Sequence, residues 1–167
     1  MRYAQIRDID ISNGDNIGVA LFVQGCHFRC KNCFNPETWD FSKGEEWTEE
    51  TQEKFIELAE KPFIKRISIL GGEPLADKNL ENVLNLVNKI RLSMPEKTIW
   101  IYSGYEWKQI KSNPIRSEIV SKCDVLVDGR YEENLKDITL RWRGSKNQRV
   151  IDVQQSIKDG KLRLYTQ

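Results

Sequence analysis

The sequence predicts an α/β fold, an open, partial βα barrel of mostly parallel strands. Two observations carry this. Short apolar runs recur at residues 19–23, 67–70, 98–102 and 125–127, and stretches with helical spacing of apolar residues separate them. Each run also ends in glycine, serine, aspartate or a cysteine-rich loop. Strands and helices alternating in this rhythm form parallel βαβ units. Four or five such units fall short of a closed eight-stranded barrel.

Residues 3–11 alternate apolar and polar side chains, as a half-buried strand does, and Asn13-Gly14-Asp15-Asn16 supplies turn chemistry. Val19-Ala20-Leu21-Phe22-Val23 is continuously apolar, the pattern of a strand covered on both faces. Thr48 is placed to cap a helix running to about Glu60, with Phe55, Ile56, Leu58 and Ala59 on its buried side. The strand Ile67-Ser68-Ile69-Leu70 ends in Gly71-Gly72-Glu73-Pro74. Asp77 is expected to cap a second helix, along which Leu80, Val83, Leu84, Val87 and Ile90 recur at helical spacing. A third strand over 98–102 closes in Ser103-Gly104, and a helical stretch broken at Pro114 leads to Val125-Leu126-Val127. The tail SIKDGKLRLYTQ reads as a short hairpin around Asp159-Gly160.

The 167 residues fit a single domain, 1–167, with a core over about 17–130. With 26 basic against 25 acidic residues, bulk charge gives no argument for nucleic acid or an anionic membrane. No stretch approaches the roughly 20 apolar residues that span a bilayer. The opening MRYAQIRDID turns charged at once, unlike a secretory signal, and four cysteines are sparse for a disulfide scaffold. A cytoplasmic globule is the expectation.

Cys26, Cys30 and Cys33 read C-x3-C-x2-C within one loop, GCHFRCKNCFN. Three such thiolates can hold three corners of a cubic iron–sulfur cluster and leave the fourth iron open. A fully ligated cluster passes electrons only, whereas an open iron can bind and reduce a small molecule. Thiolates suit zinc equally, so ligand type does not settle the metal. A structural zinc would need Cys123 or His27 as its fourth ligand. Cys123 beside an apolar run reads more simply as a buried small hydrophobe, and His27 as a loop residue.

Ligands in parallel α/β folds sit at the carboxyl ends of strands. The cysteine loop, Gly71-Gly72-Glu73-Pro74, Ser103-Gly104 and Asp128-Gly129-Arg130 all fall there. Each has an ordinary reading. Gly-Gly is a tight turn or lets a ligand approach the backbone. Glu73 is a helix-start acid or the partner of a ligand ammonium. Arg130 is solvated surface or a forked clamp on a carboxylate. Together they describe a site for a cofactor bearing an amino acid.

The cysteine motif followed by Phe34, with Gly71-Gly72-Glu73-Pro74 after the next strand, resembles the radical S-adenosylmethionine superfamily. ALFVQGC, NPETWD, IYSGY, DVLVDGRY and RWRGSKNQRVID are similar to the activating proteins of anaerobic (class III) ribonucleotide reductases. The resemblance makes residues 131–153 a signature segment. It implies a 4Fe–4S cluster on Cys26, Cys30 and Cys33. It also implies S-adenosylmethionine held near Asn32, Cys33 and Phe34, with Gly71, Gly72 and Glu73 on its amine; position on the same rim assigns Ser103 and Arg130 to ribose and carboxylate. The implied activity is reductive cleavage of S-adenosylmethionine and installation of a glycyl radical on the reductase. A flavodoxin or ferredoxin would supply the electron. Arg141, Arg143 and Arg149 are either basic surface or contacts to the partner.

Overall fold

The computed structural model describes residues 1–166. Its described strands form one sheet: β1 (Arg2–Asp10), β2 (Gly18–Val23), β3 (Glu45–Glu46), β4 (Arg66–Gly71), β5 (Thr98–Ser103), β6 (Val125–Asp128) and β7 (Arg149–Asp152). The helices are α1 (Glu49–Glu60), α2 (Leu80–Ser93), α3 (Trp107–Lys111), α4 (Pro114–Ser121) and α5 (Val153–Asp159). Strand order is β3-β1-β2-β4-β5-β6-β7, so the sheet is open and β3 and β7 are its edges. The central strands β2, β4, β5 and β6 run parallel, with α1, α2 and the α3–α4 pair as crossovers. Both flanks are antiparallel: β1 pairs with β2 and β3, and β7 pairs with β6. The fold is the expected α/β class, but its sheet is more mixed than the sequence discloses.

Strand side chains alternate between two faces. Val19, Leu21, Val23, Ile67, Ile69, Ile99, Ile101 and Leu126 pack with Phe55, Val83, Val87, Ile90 and Ile119 in one core that contains every helix contribution. Ala20, Phe22, Leu70, Trp100, Tyr102, Val125 and Val127 face the other way. That face carries no helix, which leaves room for a cleft. Cys123 lies in the helix-side core with its thiol toward the Ile119 carbonyl at 3.4 Å, as a small hydrophobe would.

Several local expectations are met. Thr48 Oγ1 accepts the Thr51 N–H at 3.1 Å and starts α1. Pro114 opens α4, with Asn113 Oδ1 accepting from the Ile115 and Arg116 amides. Others need correction. Asp77 does not cap α2; it opens a 3-10 turn, Asp77–Asn79, and its carboxylate is drawn 2.9 Å from Arg116. Leu84 is only half-buried, and Leu86 fills the core beside Val83 and Val87. Asp159-Gly160 is not a hairpin turn. It ends α5, with Gly160 at φ 66° in the left-handed region that favours glycine at helix ends. The chain then doubles back and bridges Leu164 to Ile151 of β7.

The loop between β1 and β2 is fastened from below by Arg66. Its buried guanidinium donates to the carbonyls of Asp10, Asn13, Asp15 and Asn16, and lies 2.9 Å from the Asp10 carboxylate. Burial alone would raise the Asp10 pKa, but hydrogen bonds from Arg66 and Asn13 outweigh it and hold the carboxyl below its usual range. No helix among the described residues is long and apolar enough to cross a membrane.

Candidate functional site

A cleft of about 410 Å³ opens on the helix-free face, at the carboxyl ends of β2, β4, β5 and β6. Cys26, Cys30, Cys33, Gly71, Gly72, Glu73, Ser103, Gly104 and Arg130 all line it. The four sequence motifs therefore converge on one cavity.

The cysteine loop leaves β2 and is held in place by its backbone. The Gly25 N–H donates to the Thr38 carbonyl at 2.7 Å and the Cys26 N–H to the Trp39 carbonyl at 3.0 Å. Left-handed backbone at Arg29 (φ 50°) and Asn32 (φ 56°) winds the loop between its cysteines. The Cys33 N–H then closes on the Cys30 carbonyl at 3.1 Å. Burial pushes the Cys26 thiol up to about 11, and burial with the neighbouring Cys33 raises Cys30. A coordinated metal deprotonates such thiols outright. His27 hydrogen-bonds Tyr105 at 3.2 Å and stacks 4.4 Å from Phe28, while Cys123 sits in the opposite core. Neither candidate for a fourth zinc ligand joins the three cysteines. Among the described residues, no three His, Cys, Asp or Glu side chains converge as around a single ion. Three half-buried thiols ringing a cleft fit separate corners of a cluster.

The glycines act first within the fold. Gly71 has φ 105°, and a Cβ there would lie 2.7 Å from Phe22 Cα. A Cβ on Gly72 would lie 2.5 Å from the Gly25 carbonyl oxygen. Their small size lets the end of β4 press against β2 and the cysteine loop. Two hydrogen bonds seal that contact, from Gly72 N–H to Val23 and from Glu73 N–H to Gly25, each 2.8 Å.

Glu73 is thereby carried into the cleft wall with 1% of its surface exposed. Its carboxylate accepts from the Leu75 N–H at 2.8 Å, the Gly104 N–H at 2.7 Å and the Ser103 hydroxyl at 2.9 Å. Burial pushes its pKa up to about 7, against the pull of these hydrogen bonds. A buried carboxylate with a spare lone pair beside a cleft is a natural seat for an ammonium. Ser103 lines the same cleft wall. Its hydroxyl donates to Glu73 and accepts the Tyr105 N–H at 3.0 Å, so it braces the carboxylate.

Arg130 lies on the rim after β6, its guanidinium 5.3 Å above the Phe28 ring. Phe34 is 62% exposed and packs 4.9 Å from Tyr131. Gly144 makes that packing possible, since a Cβ there would fall 2.4 Å from the Phe34 ring. Asn32 is exposed and near Glu133, whose carboxyl Tyr131 and then Asn32 hold below its usual range; Asn35 is the loop asparagine that lines the cleft. Of the tail arginines, Arg149 forks onto the buried Asp128 carboxylate at 2.6 and 3.0 Å, a structural role. Arg143 lines the cleft and donates to the Gln148 carbonyl; Arg141 lies 4.4 Å over the Trp142 ring. Arg7, Tyr102, Tyr131, Trp142 and Gln148 also line the cleft, and the sequence reading assigned none of them. Tyr102, Tyr131 and the Trp142–Gln148 stretch fall in the motifs IYSGY, DVLVDGRY and RWRGSKNQRVID; nothing local marked Arg7.

Comparison with known proteins now decides the family. A 4Fe-4S single cluster domain matches residues 12–151. The anaerobic ribonucleoside-triphosphate reductase-activating protein of Salmonella typhimurium is 40% identical over 152 residues, 90% of this chain and 97% of that protein. The one from Escherichia coli K12 is 39% identical over 152 residues, with the same coverage of both chains. The one from phage T4 is 38% identical over 150 residues, 90% of this chain and 93% of that protein. The chain belongs to the anaerobic ribonucleoside-triphosphate reductase-activating protein family. The span matched as a cluster domain takes in all three cysteines, Glu73, Arg130 and the tail segment as far as Ile151 in β7.

Proposed function

We propose that this chain is a radical S-adenosylmethionine activase that installs a glycyl radical on an anaerobic ribonucleoside-triphosphate reductase in the cytoplasm. One observation carries the reading: three clustered cysteines and a buried acceptor carboxylate share a single cleft rimmed by arginine. Cys26, Cys30 and Cys33 would hold a 4Fe–4S cluster. When bound, the cluster and S-adenosylmethionine would supply one-electron radical chemistry directed at a glycine of the reductase.

The chain's own residues bind, orient and exclude water. Glu73 receives the methionyl ammonium, with Ser103 and Gly104 fixing its oxygens. Gly71 and Gly72 set the distance between that carboxylate and the cysteine loop. Arg130, held on Phe28, faces the cofactor carboxylate. Phe34 and Tyr131 give the adenine an aromatic wall. The open, helix-free face of the partial barrel admits a loop of the large partner. A flavodoxin or ferredoxin supplies the electron. None of these side chains makes or breaks the reacting bonds.

The test is electron paramagnetic resonance of the anaerobic reductase after incubation with the reconstituted protein, reductant and S-adenosylmethionine. A glycyl doublet on the reductase is expected. Cofactor turnover without that doublet would move the target to another glycyl-radical enzyme, and colourless protein with one zinc would end the radical reading.

A further inference from the structure

A second cleft, of about 520 Å³, opens on the other side of the cysteine loop. Cys26 is the one residue that lines both clefts. The second cleft is built by residues 36–42 folding back on the loop. The Gly25 and Cys26 amides bind the Thr38 and Trp39 carbonyls, and the Gln24 side-chain amide donates to the Glu37 and Asp40 carbonyls at 3.0 and 2.8 Å. Gly25 has φ 100°, and a Cβ there would fall 2.0 Å from the Phe41 ring, so glycine alone lets that ring close in.

The rim of this cleft is cationic. Arg29 lies 5.7 Å over the Trp39 ring and Lys78 lies 5.1 Å over Phe41. Both are exposed, and neither forms an ion pair among the described residues. Asp40, the one carboxylate in the wall, is already held by the Ser42 N–H at 2.9 Å and hydroxyl at 2.7 Å, and sits in the field of Lys43 and Arg29. Asp77, next to Lys78, is taken by Arg116. The Trp39 indole N–H is buried without a partner.

We propose that this second cleft is the docking surface of a small acidic redox protein, which delivers one electron through Cys26 to the iron–sulfur centre. The proposal rests on the radical reading above and adds the place of entry. On that reading the first cleft is given over to S-adenosylmethionine and the glycine-bearing protein. The carrier must therefore approach from another side, and Cys26 is the wall the two clefts share. The donor's carrier is oxidised by one electron and the centre is reduced by one; no bond or proton changes place. Cations resting on aromatic faces present fixed positive charge to an acidic rim, which steers docking more than it adds affinity.

The experiment is anaerobic calorimetric titration of the reconstituted protein with a recombinant flavodoxin, comparing wild type with Lys78→Glu at low and high salt. We expect affinity about threefold weaker or worse in the variant at low salt, and a shallower salt dependence than in the wild type. Cleavage of S-adenosylmethionine driven by dithionite, which needs no docking, should stay within about twofold, because Lys78 lies outside the cysteine loop and does not line the first cleft. Unchanged flavodoxin affinity would overturn the proposal. So would loss of dithionite-driven cleavage in the variant alone, which would assign Lys78 to the cofactor. Absence of that cleavage in the wild type would instead refute the radical reading itself.

Discussion

Replacing Glu73 by glutamine probes the cleft at its least expendable group. The carboxylate accepts three hydrogen bonds through two oxygens, whereas an amide has only one oxygen. Its NH2 must then face the Gly104 amide or the Leu75–Ser103 pair, leaving a buried donor unmet at a cost of about 1–3 kcal/mol. An ammonium bound there loses a charge-assisted hydrogen bond worth about 1.5–3 kcal/mol, or about 10- to 150-fold in Kd. The pH dependence has a definite sign. The folded-state pKa is about 7 against an ordinary 4.5. Between those values the folded state keeps a proton that the unfolded chain has lost, so stability falls as pH rises through the window. The upper bound is about 3 kcal/mol. Cofactor binding runs the other way, because an ammonium needs the carboxylate: wild-type affinity should tighten as pH rises through about 7. Glu73→Gln should flatten both profiles. Calorimetry with S-adenosylmethionine on either side of that pH, with iron and sulfide assays in parallel, reads the result. Equal losses of iron and of binding, or a flat wild-type profile, would refute the reasoning.

Cys30→Ala should abolish cluster assembly, read as loss of iron, sulfide and the brown absorbance after anaerobic reconstitution. Gly72→Ala forces a methyl to 2.5 Å from the Gly25 carbonyl, so it should cost about 1–3 kcal/mol and lower Tm by about 2–4 °C per kcal/mol in a thermal melt. Arg66→Met takes the buried partner from the Asp10 carboxylate, leaving it the partly exposed Arg7 at 3.4 Å, and should cost about 3–5 kcal/mol in a urea titration; a change under about 1 kcal/mol would deny the pair its role.

Much of the parallel centre was legible because its strands are largely buried on both faces and read as short, mostly apolar runs, broken in β4 only by Ser68. The flanks were not. β7 offers only Val150 and Ile151 between charged residues, too short a pattern to show a period, and β3 is two glutamates. Asp159-Gly160 carries turn chemistry that a hairpin and a helix end share; Asp152, accepting the Gln155 N–H at 2.9 Å, decides for the helix. In the site, the cysteines were plain from spacing alone. The depth of Glu73 was not, because its burial comes from Ser103 and Gly104, which are distant in sequence. In the sequence Arg149 reads equally as basic surface or as a partner contact; the Asp128 carboxylate opposite it is what decides its role. Long-range pairing of this kind leaves no local trace.

The central claim is that three cysteines hold a cluster and leave one iron to the cofactor. Mössbauer spectroscopy of protein reconstituted with iron-57 tests it most directly. The account predicts one iron distinct from the other three, whose isomer shift changes when S-adenosylmethionine is added. Irons that ignore the cofactor, or protein that takes up a lone zinc in their place, would contradict it.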